Sequence, residues 1–185
     1  MRVLVRSRGL GDVYTKQGMV HGPTWRVGRI GRRLERVFGV IDVWRGAVQW
    51  AAMIDLEDDA QRLIEIVLAT NESLVAYRRR YRSDVEFGAA VELVILDGNN
   101  PRSAASAIES VRREAEAVGW TDGATLAADL ANGLQRSRLH SPVSTERALH
   151  ELYVGCDQLA RSVVSTFLAS PVDPRPVGLV KEQSS

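Results

Sequence analysis

The chain has 185 residues, a size that fits one domain with enough apolar content for a real core. Its 24 basic and 23 acidic residues leave a formal charge of +1, so no broad field draws it to nucleic acid or to an anionic membrane. A lone cysteine, Cys156, cannot form an internal disulfide, no apolar run reaches membrane-spanning length, and the start lacks a secretory h-region, which together predict a cytoplasmic protein.

Residues 1–22 carry several glycines and no sustained period, and are read as an irregular leader. From Thr24 the pattern changes. Ile30, Leu34, Val37, Phe38, Ile41, Trp44 and Val48 recur at steps of three and four, which predicts a helix with one apolar face to about Ala52. The carboxylates between Asp55 and Asp59 suit the start of a second helix, carried through Leu63, Val67, Leu74, Tyr77 and Tyr81. Val91 to Leu96 is a short apolar run that periodicity alone does not assign; with no strand partner nearby it is read as helix.

Asn100 is placed to cap the next helix with Pro101 at its first position, Ala105, Ile108, Val111 and Ala115 on its apolar side, and Gly119 as its stop. Thr121 or Asp122 caps a helix carrying Leu126, Leu130 and Leu134, with Gly133 inside it. Ser141 and Pro142, or Ser144, open a last helix through Leu149, Leu152, Cys156, Leu159, Val163 and Phe167 that Pro171 ends. Residues 171–185 read as a flexible tail. Residues 23–170 are therefore expected to form one all-α domain, an antiparallel helical bundle of roughly five to six helices.

The first helix has a second stripe, Gly28, Arg32, Glu35, Gly39, Asp42 and Gly46, opposite the apolar one. Glycine inside a helix costs about 0.8 to 1.0 kcal/mol relative to alanine, which predicts a close helix neighbour as compensation. On that reading Glu35 accepts hydrogen bonds from Arg32, Arg78 or Arg102 across a partly buried contact. Three uses of these residues remain open: an ion-pair network that sets helix register, a ligand site, or a solvated face. A ligand site with Arg29, Arg32, Arg36, Arg78 and Arg102 around Glu35 would favour an anion such as phosphate or a peptide carboxylate.

Other chemistries find little purchase. His21, His140 and His150 lie far apart, and Glu146 with His150 is one residue off a di-iron spacing, so no metal is expected. No phosphate-binding or dinucleotide glycine fingerprint occurs, so no cofactor is expected. The run Arg78, Arg79, Arg80 with Arg82 is read as solvated or internally paired rather than bound to nucleic acid, because Tyr77 and Tyr81 share the apolar face.

Three stretches in order, Gly31-Arg32-Arg33-Leu34-Glu35-Arg36, Tyr77-Arg78-Arg79-Arg80-Tyr81, and Leu96-Asp97 leading into Asn100-Pro101-Arg102-Ser103, resemble the bacterial alpha-E domain family. The resemblance runs from about Met19 to Phe167 and matches the C-terminal half of a longer domain. Such domains carry a related helix near their own start, of which this chain shows no copy, so it reads as a half-length member or a fragment of a longer gene product. The resemblance implies an all-helical domain of poorly known function, found beside circularly permuted ATP-grasp proteins and transglutaminase-like peptidases. It implies an accessory interaction domain, not catalytic by itself, with an ATP-grasp-type partner; the alternative is an enzyme or receptor for a small anion or peptide carboxylate. Nothing in the sequence opposes a homo-oligomer. The polar cluster to which motifs and spacing point is Arg29, Arg32, Glu35, Arg36, Tyr77, Arg78, Tyr81, Asn100 and Arg102.

Overall fold

A computed structural model describes residues 22–51, 57–82, 84–139 and 141–169. Within them the chain forms seven α-helices: α1 (Pro23–Ala51), α2 (Glu57–Thr70), α3 (Leu74–Tyr81), α4 (Phe87–Val91), α5 (Ala104–Ala117), α6 (Thr121–Arg136) and α7 (Pro142–Val163). Two end in a π-helical turn, Glu92–Leu96 after α4 and Val164–Leu168 after α7. The leader except Gly22, the tail and Pro171 lie outside the described residues.

Side-chain pairs fix how the long helices run. Arg26, at the start of α1, reaches Glu114 near the end of α5 at 2.9 Å. Phe38 stacks edge-on against Tyr153 at 5.5 Å, while Arg45, further along α1, meets Glu146, earlier on α7, at 3.7 Å. Trp120, just before α6, packs on Phe167, just after α7, at 5.6 Å. Arg26–Glu114, Arg45–Glu146 and Trp120–Phe167 each couple the start of one helix to the end of its neighbour, so α1, α5, α6 and α7 form an antiparallel four-helix ring, and α2 to α4 cover one flank of α1, where Trp44 meets Phe87.

The core follows the apolar period of each helix. Ile30, Leu34, Val37, Ile41 and Trp44 of α1 are buried, as are Ile108, Val111 and Ala115 of α5 and Leu149, Leu152, Cys156, Leu159 and Val163 of α7. Burial in that apolar setting pushes the Cys156 thiol up to about 12, so it stays protonated and inert. No helix among the described residues is long and apolar enough to cross a membrane.

The structure corrects the expected elements at three points. The second helix is two helices, which makes seven segments where five or six were expected. α2 stops because Glu72 adopts φ 53° and the N–H groups of Ser73 and Glu72 close on the carbonyls of Leu68 and Ala69, a left-handed helix cap that usually takes glycine. Asn100 does not cap α5. Ser103 does, accepting from the Ser106 N–H at 3.0 Å. Neither Thr121 nor Asp122 caps α6, whose first flanking residue is Trp120, with no side-chain cap.

Gly119 ends α5 at φ 74°, as its position in the sequence suggests, and Ser141 opens α7 through a capping box with Ser144 and Pro142 in the first turn. Val91 to Leu96 is helical, Val91 closing α4 and Glu92–Leu96 forming the π turn.

Candidate functional site

Two of the motif stretches serve the fold. Tyr77 is fully buried; its hydroxyl donates to the Asp84 carbonyl (3.2 Å) and accepts from the Glu86 N–H (3.0 Å), which holds the α3–α4 connection. Tyr81 lies against Tyr77, ring centres 4.7 Å apart, and burial raises its phenol pKa. Arg80 donates to Asp97 at 2.5 Å, so the second motif grips the third. Arg78 meets Glu65 of α2 at 3.6 Å, with both side chains well exposed.

Asn100 is a tie rather than a ligand-facing group. Its amide donates to the Leu93 carbonyl (2.9 Å) and more weakly to the Ser73 hydroxyl (3.4 Å), and its side-chain oxygen accepts from the Arg102 N–H (3.0 Å). Asn100→Ala would leave the buried end of the π turn without this donor. A loss of about 1 to 3 kcal/mol is expected in urea denaturation, which is the cost of orphaning a buried polar group.

The remaining motif residues divide between two places. Arg32, Glu35 and Arg36 line an open groove of about 500 Å³ on the outer side of α1, walled by Thr70, Asn71 and Glu72 at the end of α2. Arg102 reaches its rim through an ion pair with Glu72. All three α1 residues are exposed and make no hydrogen bond or ion pair with the described residues. The expected clasp of Glu35 by Arg32, Arg78 or Arg102 is therefore absent, because the neighbouring helices α5 and α7 pack on other sides of α1.

The glycine stripe is likewise not covered by a helix. A Cβ placed at Gly39 or Gly46 would meet nothing within 4 Å, and one at Gly28 would meet the Arg32 guanidinium of the same helix at 3.5 Å. The cost of these glycines is thus not offset by packing inside the described domain. Gly39→Ala is expected to raise stability by about 0.8 to 1.0 kcal/mol, the intrinsic helix preference, read as a higher denaturation midpoint.

Arg29 belongs to the second place, which the sequence did not single out. Glu114 of α5, its side chain only 8% exposed, accepts from Arg26 at 2.9 Å and pairs with Arg29 at 3.1 Å. Arg29 also lies 4.8 Å above the Trp25 ring. The clasped carboxylate that motif reasoning assigned to Glu35 is Glu114. Two signals pointed to it: an acid at a core-facing position of α5, beside Val111 and Ala115, and the spacing of Arg26, Arg29, Arg33 and Arg36 on α1.

No three His, Cys, Asp or Glu side chains among the described residues converge as a metal site would need. The model of one family, described as a predicted alpha-helical domain with a conserved ER motif, matches residues 8–168. The chain belongs to the Alpha-E family.

Two Glu-Arg steps occur in this Alpha-E chain, Glu35-Arg36 on α1 and Glu146-Arg147 on α7; Glu146 pairs with Arg45, and Glu35 pairs with none of the described residues. Uncharacterised proteins of Mycobacterium bovis and of two Mycobacterium tuberculosis strains are each 28% identical over 165 residues. The match covers 83% of this chain and 18% of each relative, so the chain spans about a fifth of the length of these relatives. No solved structure matches it.

Proposed function

We propose that this Alpha-E domain is a cytoplasmic accessory module, not catalytic by itself, that docks through the outer face of α1 onto an ATP-grasp-type peptide ligase and works beside a transglutaminase-like peptidase. The observation that carries it is the Glu35-Arg36 step, a pair of the kind that describes the family, turned outward without a partner among the described residues. The length of the relatives supports it too, since the matched region is a small part of much larger chains. The partner system itself is implied by the family resemblance.

The test is co-expression with the adjacent ATP-grasp protein and affinity capture. Co-purification that Glu35→Gln with Arg36→Gln weakens supports the reading; no association at about micromolar concentration, the range of a specific transient interface, contradicts it.

A second reading, a receptor for a small anion or peptide carboxylate, draws on the groove, where two guanidinium groups without an ion pair among the described residues stand beside Glu35. Calorimetric titration with inorganic phosphate and with diglycine separates the two. Saturable heat abolished by Arg32→Gln favours the receptor, and flat titrations favour docking.

A further inference from the structure

The flank of α1 that meets α5 carries Arg26, Arg29 and Arg33, and Arg36, at the edge of the groove, extends the row to about one arginine per turn over about 15 Å. Arg113 of α5 adds a fifth guanidinium, and Glu114 is the acid that faces them from within the fold. Glu114 is already bonded to Arg26 and Arg29. Arg33, half-buried, makes no hydrogen bond or ion pair with the described residues. Arg113 is 3.9 Å from Glu109, a carboxylate that Arg112 holds at 2.7 Å.

We propose that Arg33, with Arg29 and Arg36 of α1 and Arg113 of α5, forms a carboxylate-binding surface that docks an acidic segment of a protein partner. This rests on the docking reading above and names the chemistry of what docks. The site already shows how it takes a carboxylate, since Glu114 is held between two guanidinium groups. Burial, and Arg29, Arg36 and Arg113 nearby, pull the Arg33 guanidinium below its ordinary pKa, with Glu114 opposing. An added carboxylate relieves that repulsion.

The geometry selects among anions. One arginine per helical turn matches a partner helix that presents one Asp or Glu per turn, at about 5.4 Å spacing, over the seam between α1 and α5. The near-zero charge of the whole chain supplies no broad positive field of the kind that draws a nucleic-acid backbone. The aromatic ring beside the patch, Trp25, carries Arg29 on its face and so does not offer that face for base stacking.

The probe is a fluorescein-labelled, alanine-based helical peptide with glutamates at successive i, i+3 and i+4 steps, titrated against the whole chain by anisotropy. The same peptide with glutamines, an oligothymidylate and inorganic tripolyphosphate are the comparison arms. The acidic peptide should bind, and its affinity should fall about tenfold in Arg33→Gln and about a hundredfold in Arg33→Gln with Arg113→Gln, one charge-assisted contact at a time. Both variants leave the Glu114 pairs in place, so circular dichroism and the urea midpoint should not fall; Arg36→Gln gives an independent readout at an exposed position.

The proposal is overturned if the acidic peptide does not bind at about millimolar concentration, the weak end of specific recognition. It is also overturned if these variants leave its affinity unchanged, or if the glutamine peptide, oligothymidylate or tripolyphosphate binds as tightly. Failure of the ATP-grasp protein to co-purify while the peptide still binds through these arginines sinks the partner assignment and upholds the surface.

Discussion

Glu114→Ala is expected to destabilise the domain by about 3 kcal/mol, the lower end of what breaking a buried ion pair costs. Two charge-assisted contacts, from Arg26 and Arg29, disappear with the carboxylate. The low end applies because both arginine side chains are about a third exposed, at 35% and 32%, and water recovers part of the loss. What water does not remove is the crowding of Arg26, Arg29, Arg33 and Arg113, which lose the acid that faces them. Adding Arg33→Gln to Glu114→Ala should therefore restore part of the stability, a coupling that a urea double-mutant cycle reads directly. A loss under about 1 kcal/mol, the scale of an exposed pair, would mean that Glu114 is not a structural clasp.

Gly123→Ala is expected to cost about 2 to 3 kcal/mol, the upper range for overpacking a core. A Cβ at Gly123 would lie 2.2 Å from two carbons of the Trp120 indole. That ring is 6% exposed and pinned edge-on against Phe167 at 84°, so it has to swing out and release the contact that joins the start of α6 to the end of α7. The sign is the informative part. Alanine is the better helix former by about 1 kcal/mol, so the same change stabilises at Gly39, where space is open, and destabilises at Gly123. A thermal or urea midpoint for Gly123→Ala at or above that of the parent chain would show that the indole moves freely.

The periodicity of the sequence carried most of the fold. Ile30, Leu34, Val37, Ile41 and Trp44 recur at three- and four-residue steps and all are buried. The interruption after Thr70 was not legible, because a left-handed cap normally announces itself with glycine and here Glu72 occupies it. Asn100 and Ser103 are both good caps by residue type; which one serves depends on the tie between Asn100 and Leu93, a contact across the π turn.

The candidate site was legible in its chemistry and misplaced in its geometry. A carboxylate clasped by arginines does exist, and one arginine of the expected cluster, Arg29, is in it. Helical spacing places Glu35 on the side opposite the apolar stripe, and the period of a single helix carries no information on whether a neighbour packs there. Glu114 went unnoticed because a charged residue at a core-facing position reads as an exception to the pattern until Arg26 and Arg29 are seen across from it. Arg32, Glu35 and Arg36, close in sequence, line the same groove.

Two glutamates divide the labour: Glu114 joins α1 to α5, and Glu35 meets no ion-pair partner among the described residues. The most direct measurement is the urea-denaturation free energy of Glu35→Gln beside that of the parent chain. A difference within about 0.5 kcal/mol, the range of a surface substitution, is the predicted result. A loss of about 2 kcal/mol or more would place Glu35 in a structural clasp after all and contradict the account.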